Sequence, residues 1–139
     1  MPSLPMPSSF RRWLLRRFGA VVGKGVVIRS RVNITFPWRI EIGDHVWIAE
    51  EVLILSLAKV TIGSHVCISQ RAFLCTGSHD FKQQGFDLIT QPITIEPHSW
   101  IAATAFVGPG ANVPQGTLVK AGSVVTRTSF AQPVANQDA

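Results

Sequence analysis

The strongest constraint on this chain is a six-residue repeat of aliphatic side chains that runs from Val22 to Val125. The aliphatic positions are 22, 28, 34, 42, 48, 54, 62, 68, 74, 95, 101, 107, 113, 119 and 125. A period of six matches neither the 3.6-residue period of an α-helix nor the two-residue alternation of a long strand. The repeat therefore predicts a solenoid of short strands joined by tight turns.

A second series of mostly small side chains stands four places after the aliphatic series. Its members are Val26, Val32, Val46, Val52, Ala58, Val66, Ala72, Ser78, Ser99, Ala105, Ala111, Thr117 and Ser123. Each six-residue side thus has two inward positions, and three sides close one coil. The pattern predicts an all-β fold of about five coils, over residues 22–39, 42–59, 62–79, 95–112 and 113–125.

The longest interruption of the repeat follows His79. It is a polar stretch over residues 80–92 that contains Gly85 and Pro92, and we expect it to protrude. Long loops on a rigid frame are commonly functional. His79, beside this insertion, is therefore the first candidate for a catalytic group.

The other three histidines, His45, His65 and His98, each stand three places after a repeat aliphatic residue. This position predicts turn residues stacked on one corner of the coil, because histidine is among the residues that tolerate positive φ. The alternative is a column of metal ligands. Cys67 and Cys75 form no CxxC pair, and we expect both in or near the core.

Residues 8–19 predict a short helix that Ser8 or Ser9 caps and Gly19 ends. Paired arginines stand opposite an apolar stripe formed by Phe10, Trp13, Leu14 and Phe18. One interpretation is a cap that packs on the first coil and covers its open strand edge. The other is an interfacial helix attracted to anionic lipid, and a hinged helix would allow both.

The net charge of +5 is concentrated at the N-terminus. Residues 1–31 contain seven Lys and Arg and no acid, and the remainder contains six bases and eight acids. No basic surface interleaved with aromatic residues follows, so we expect no nucleic-acid partner. No apolar run reaches the ~18 residues of a membrane span, and no secretory signal is visible. We expect a cytoplasmic protein, at the inner face of the membrane if the helix is interfacial.

Several stretches share one pattern of aliphatic residues around a turn. They are Ile42-Gly43-Asp44-His45-Val46-Trp47-Ile48-Ala49, Val60-Thr61-Ile62-Gly63-Ser64-His65-Val66-Cys67-Ile68, Ser78-His79-Asp80 and Ala121-Gly122-Ser123-Val124-Val125-Thr126-Arg127. By these motifs, residues 19–127 resemble the hexapeptide-repeat acyltransferases. The segment Cys75-Thr76-Gly77-Ser78-His79-Asp80-Phe81, with Phe86-Asp87-Leu88-Ile89 and Pro92-Ile93-Thr94-Ile95 after it, is most similar to colanic-acid-type exopolysaccharide O-acetyltransferases.

The resemblance implies a left-handed parallel β-helix and a homotrimer. Together with the charge pattern and the interrupted repeat, it predicts a basic amphipathic arm over 1–21, an acyltransferase domain over 22–127 with a protruding loop at 80–92, and a loose tail over 128–139. The left hand of the coil comes from the family and not from the periodicity.

The resemblance also implies an O-acetyltransferase with acetyl-CoA as co-substrate and no metal. The acceptor is a sugar hydroxyl, small or lipid-linked, in exopolysaccharide or another cell-surface glycan. His79 is the general base of a direct ternary mechanism, because an alcohol is a poor nucleophile at neutral pH. Asp80 could orient its imidazole, and a backbone carbonyl could serve instead.

The family's acetyl-CoA contacts map onto Trp100, Ala102, Ala103, Ala121, Gly122, Thr126 and Arg127. The Ala103 N–H could face the thioester oxygen as charge develops on it. The small residues would let the pantetheine arm lie close to the backbone, and Arg127 would meet a phosphate. Trp100 could pack on the pantetheine or the acceptor, or lie in a subunit contact.

Two rival functions follow from the same fold. One is a γ-type carbonic anhydrase, whose ligands include two histidines separated by four residues, and this chain contains no such pair. The other is an inactive structural trimer. It is suggested by the tail, Thr128-Ser129-Phe130-Ala131-Gln132-Pro133-Val134-Ala135-Asn136-Gln137-Asp138-Ala139, which lacks the Pro-rich turn and the Gly-Asn-Pro-Ala segment of the family.

Overall fold

The computed structural model describes residues 6–130, which form one short helix followed by five stacked coils of short strands. The helix α1 is Ser8–Arg17, and a 3₁₀ turn covers Pro37–Arg39. The first three coils contain β1 (Val21–Val22), β2 (Val27–Ile28), β3 (Asn33–Ile34), β4 (Ile40–Ile42), β5 (Trp47–Ile48), β6 (Leu53–Leu55), β7 (Val60–Ile62), β8 (Cys67–Ile68) and β9 (Phe73–Cys75). A hairpin follows, with β10 (Gly77–His79) and β11 (Leu88–Thr90). The last two coils contain β12 (Ile93–Ile95), β13 (Trp100–Ile101), β14 (Phe106–Val107), β15 (Asn112–Val113), β16 (Leu118–Val119) and β17 (Val124–Val125).

Every coil contributes one strand to each of three parallel sheets. Side A is β1-β4-β7-β12-β15, side B is β2-β5-β8-β13-β16, and side C is β3-β6-β9-β14-β17. The predicted solenoid of about five coils is confirmed. The coils begin slightly earlier than predicted at Ile40, Val60 and Ile93, because these residues pair in register and are buried.

The core is a set of columns in which like side chains stack from coil to coil. On side B, Ile28 pairs with Ile48, Ile48 with Ile68, and Ile68 with Ile101, and all four side chains are buried. Most of the second, small-residue series is buried or half-buried beside them. Ser78 is the exception, since it is exposed on the hairpin arm β10.

The predicted stack of turn histidines at the corner between sides A and B is confirmed. His45, His65 and His98 adopt φ values of 54°, 59° and 62°. Their ring centroids lie 5.3 Å apart for the first pair and 4.9 Å apart for the second. Within residues 6–130, no group of three or more His, Cys, Asp or Glu side chains is placed to hold a metal ion.

The helix α1 covers the open edge of the first coil with its arginines and not with its apolar stripe. Guanidinium groups donate to carbonyl oxygens that have no neighbouring coil on that side. These bonds run from Arg11 Nη1 to Ile28 O (3.0 Å), from Arg12 Nη1 to Val26 O (2.6 Å), and from Arg16 Nη2 to Val22 O and Gly23 O (2.9 Å each). The stripe of Phe10, Trp13, Leu14 and Phe18 is left exposed.

The ends of α1 differ in part from the prediction. Pro7 and not Ser8 or Ser9 is the N-cap, and no side chain caps the helix there. The Ser8 hydroxyl instead accepts the backbone N–H of Ile28 at 2.9 Å. Gly19, at φ 96°, follows the last helical turn as expected. No helix in the described part of the chain is both long and apolar enough to cross a membrane.

The arginine contacts of α1 generate a stability prediction. Arg16→Gln removes charged donors from two edge carbonyls, and we expect it to lower the free energy of unfolding by about 1–2 kcal/mol, because hydrogen bonds to charged groups contribute ~1.5–3 kcal/mol and this one is partly exposed. Urea unfolding followed by circular dichroism measures the change. Arg17→Gln is the matched control, because Arg17 is exposed and makes no hydrogen bond recorded within residues 6–130. Equal effects of the two substitutions would contradict the edge-capping role.

Candidate active site

The hairpin β10–β11 leaves the coil at the corner between sides C and A. Two buried hydroxyls organise this corner. Ser56 Oγ exchanges hydrogen bonds of 3.0 Å with the backbone of Phe36 one coil earlier. Thr76 Oγ1 donates to Leu55 O at 2.6 Å and accepts the Ala58 N–H at 3.0 Å. The chain is therefore anchored at Thr76 before it turns outward.

The hairpin is antiparallel, with Gly77 opposite Thr90 and His79 opposite Leu88. Its first arm begins three residues before the insertion that the sequence pattern marks at 80–92. At its base, the Gln91 N–H donates to Thr76 O at 2.9 Å, which returns the chain to the coil ladder. His79 thus lies at the outer end of a paired strand and not at the end of a coil side.

The imidazole of His79 is exposed and is held by one residue, Phe86. Nδ1 lies 3.1 Å from the Phe86 carbonyl oxygen. The rings of the two residues stack with centroids 4.4 Å apart and planes 9° apart. Because a carbonyl only accepts, the proton of the neutral imidazole belongs on Nδ1 in this arrangement. Nε2 then keeps its lone pair for an incoming proton.

Asp80 is not brought to the imidazole. Its Oδ1 accepts the Lys82 N–H at 3.1 Å, and its backbone N–H donates to Asp87 O at 2.9 Å. These contacts shape the hairpin turn. Of the two predicted ways to orient His79, the structure contains the backbone carbonyl.

Trp100 lies on the outer face of side B, between Cys67 and Leu118 of the neighbouring coils. Its ring is half exposed, and its Nε1 donates to Ser69 Oγ at 2.7 Å, which fixes the indole against the coil.

Burial raises the pKa of the Cys67 thiol. Neither cysteine is in a disulfide, and Cys75 is buried.

The small residues Ala102, Ala103, Ala121 and Gly122 lie at the corner between sides B and C. The Ala103 carbonyl accepts the Gly122 N–H at 3.0 Å, while the Ala103 N–H has no acceptor recorded within residues 6–130. That N–H is thus available to an external oxygen. Gly122 adopts φ 70°, a conformation that favours glycine.

The same corner contains a ladder of charged side chains that the aliphatic repeat did not predict. Arg31, Glu51 and Arg71 follow one another at turns of successive coils, all at positive φ. Glu51 pairs with Arg31 at 3.4 Å and with Arg71 at 2.7 Å, and the hydrogen bond from Arg71 holds the pKa of Glu51 below its usual value. The sequence signal was present, since the alternating charges recur every twenty residues at positions 31, 51 and 71.

Two members of the ladder, Glu51 and Arg71, line one open groove of about 350 Å³ together with Ala103. Its walls are formed by Glu50, Glu51, Gln70, Arg71, Ala103 and Thr104. Glu50 pairs with Arg29 at 2.7 Å, and this hydrogen bond lowers the pKa of Glu50. Ion pairs therefore fix the charged side of this groove, beside an Ala103 N–H that has no acceptor recorded within residues 6–130.

Thr126 and Arg127 follow the last strand, near the corner between sides C and A. The Thr126 N–H donates to Ser129 Oγ at 2.8 Å, and Arg127 lines a cavity of about 220 Å³ with Glu96 and Phe130. Residues 131–139 of the predicted tail lie outside the described part of the chain. His79 and Arg127 thus share one corner, whereas Ala102, Ala103, Ala121 and Gly122 share another.

Comparison with known proteins finds relatives in acetyl transfer. The chain is 45% identical over 119 residues to an Escherichia coli (strain K12) protein assigned to colanic acid biosynthesis as the acetyltransferase WcaF. The match covers 86% of this chain and 65% of that protein, so the chain spans slightly less than two thirds of its relative's length. No model of a protein family matches the chain.

Solved structures agree with this result. The crystal structure of the hexapeptide-repeat-containing acetyltransferase VCA0836 from Vibrio cholerae matches with a TM-score of 0.80 at 30% identity, over 88% of this chain and 70% of that one. The structure of VCA0836 complexed with acetyl coenzyme A, from Vibrio cholerae O1 biovar eltor, matches with a TM-score of 0.79 at 29% identity, over 89% and 68%.

The contacts of His79 generate a prediction about its tautomer. We expect ¹⁵N NMR of the neutral imidazole to show the proton on Nδ1, and Asp80→Asn to leave that preference unchanged, because Phe86 O and not Asp80 is the acceptor. His45, His65 and His98 serve as internal references in the same spectrum. A proton that moves to Nε2 in Asp80→Asn would show that the carboxylate orients the ring after all.

Proposed function

We propose a function for this chain from the premise that it belongs to the hexapeptide-repeat acetyltransferase family. The proposed reaction moves an acetyl group from acetyl-CoA to a sugar hydroxyl in exopolysaccharide or another cell-surface glycan. Support comes from the colanic acid relative and from the acetyl-CoA complex of a structural neighbour.

The proposal rests on how the imidazole of His79 is held and exposed. Its Nδ1 is held by Phe86 O, and its exposed ring leaves Nε2 to accept a proton. Nε2 takes the proton of the acceptor hydroxyl as the oxygen attacks the thioester carbonyl, and it then delivers that proton to the leaving thiolate. We assign Asp80 to the hairpin turn and not to the proton transfer.

The corner between sides B and C supplies the rest of the proposed chemistry. The Ala103 N–H has no acceptor recorded within the described residues and would donate to the oxyanion that develops at the carbonyl. Ala102, Ala121 and Gly122 present little side chain, so a thin pantetheine arm fits along them. Trp100, on the outer face of side B, would pack on that arm, and Thr126 and Arg127, near the corner between sides C and A, would meet the nucleotide end.

We propose that a neighbouring subunit of a homotrimer completes the site. In one chain, His79 and Ala103 lie at opposite edges of side C, so a single chain does not join them. The outer faces of sides B and C carry large apolar groups, including Trp47, Trp100 and Val124, whereas the outer column of side A begins with Val21 and continues with the polar residues Glu41, Thr61, Thr94 and Asn112. Exposed apolar side chains grouped on one face support a subunit contact there.

We also propose a peripheral contact of residues 8–19 with the inner face of the membrane. Its support is the exposed apolar stripe of α1 beside a segment with no acidic residue. A glycan acceptor on its lipid carrier would lie at that surface. The contact would raise the concentration of enzyme near such an acceptor.

The role of His79 is tested by His79→Ala. We expect turnover of acetyl-CoA with sugar acceptors to fall about 10²–10⁴-fold, because the substitution removes the general base. Acetyl-CoA binding, measured by calorimetry, is expected to survive. His65→Asn is the matched control, since it replaces a turn histidine with another residue that tolerates positive φ. Near-normal turnover of His79→Ala would refute the assignment.

The shared site is tested by mixing inactive variants. Light scattering is expected to give three times the chain mass of 15.2 kDa. His79→Ala and Trp100→Ala should each be weakly active alone, and trimers reassembled from both should regain activity, because some contacts then pair an intact His79 with an intact Trp100. An active monomer, or a mixture no better than its components, would contradict the proposal.

A further inference from the structure

A cavity of about 220 Å³ lies between α1 and the first coil. The helix contributes Leu14, Leu15 and Phe18 to its wall, and the coil contributes Val32 and Ile34. Arg11 is the one charged residue among the described residues that line it. The apolar wall makes the cavity a poor site for water and a suitable one for hydrocarbon.

Exposed aromatic residues surround this part of the molecule. Phe10, Trp13 and Phe18 of α1 have 41%, 56% and 57% of their surface accessible, and Trp38 beside the first coil has 57%. The rings of Phe10 and Trp13 stack at 5.6 Å. Trp side chains, which join an apolar ring to a polar N–H, favour the level of lipid headgroups, and the two Phe rings add apolar surface beside them.

The charge of α1 complements an anionic lipid. Arg11, Arg12, Arg16 and Arg17 form no ion pair within residues 6–130. The first three donate to backbone carbonyls, which leaves their positive charge uncompensated. Arg11 uses Nη1 for Ile28 O and has further N–H donors beside the cavity, where a phosphate oxygen would find them.

We propose that this cavity binds one acyl chain of an anionic phospholipid, with the headgroup beside Arg11. The site deepens the membrane contact proposed above and does not depend on the acetyl transfer. It also gives the exposed stripe a role, because an acyl chain that enters the cavity would bring Phe18 and Trp13 into the headgroup layer of the membrane. A firmly attached α1 then docks the coil stack at the membrane in one orientation.

The test titrates the full chain with monomeric lysophosphatidylglycerol of increasing acyl length, by calorimetry. We expect one lipid per chain and an affinity that rises about fourfold per methylene until the chain outgrows the cavity. Val32→Phe, which fills the cavity, should weaken binding at least about tenfold. Val21→Phe is the matched control, because Val21 lies on the outer face of the same coil. If Val32→Phe does not fold, Leu14→Gln on the exposed helix provides the same test.

Three results would overturn the proposal. Equal binding by Val32→Phe and Val21→Phe would place the lipid elsewhere. An affinity that appears only after residues 1–5 are removed would mean that the chain's own N-terminus fills the cavity. An affinity that falls as protein concentration rises would mean that a second copy covers it. Acetyl transfer by Val32→Phe, measured in parallel with a soluble sugar acceptor, is expected to be normal, so failure of the lipid site and failure of the proposed enzyme are separable.

Discussion

Parallel stacking of equivalent positions holds this molecule together. Each coil places an aliphatic side chain on its counterpart in the next coil, as in the column of Ile28, Ile48, Ile68 and Ile101. Such a structure buries each coil only against its neighbours, so its stability is built from nearest-neighbour contacts. The ends are the weak points, because several carbonyl groups of the first coil point away from the second coil, toward an edge where no preceding strand satisfies them.

The arrangement of α1 follows from that exposed edge. A helix laid across it with its apolar stripe inward would bury the carbonyls of Val22 and Val26 without partners. Arginine side chains satisfy them instead, because a guanidinium combines several donors with a long stem. The stripe is then left largely exposed, and its Leu14 and Phe18 also line the cavity beside the first coil that we propose as a lipid site.

At the corner between sides C and A the chain leaves the repeat, and there it presents His79, the base that we propose. Thr76 is buried in the coil ladder and holds the chain there while the next residues leave as a hairpin. Phe86 on the returning arm then contacts His79 with both its ring and its carbonyl. A backbone carbonyl can orient His79 whatever side chain its residue carries, so the sequence did not indicate Phe86. Asp80 was the candidate because it is adjacent in sequence, but the structure does not bring its carboxylate to the ring.

The six-residue period by itself determined the solenoid, its number of coils, its core columns and the stacked histidine corner, because period and burial are properties of local spacing. It also marked His79, since an interruption is visible only against a regular pattern. It could not determine the partner of His79 or the direction that α1 faces. Phe86 reaches His79 only through hairpin pairing, and α1 is oriented by carbonyls of Val22, Gly23, Val26 and Ile28. Those contacts depend on how the hairpin closes and on how the helix lies across the first coil, and the spacing of the repeat fixes neither, so only the tertiary structure decided them.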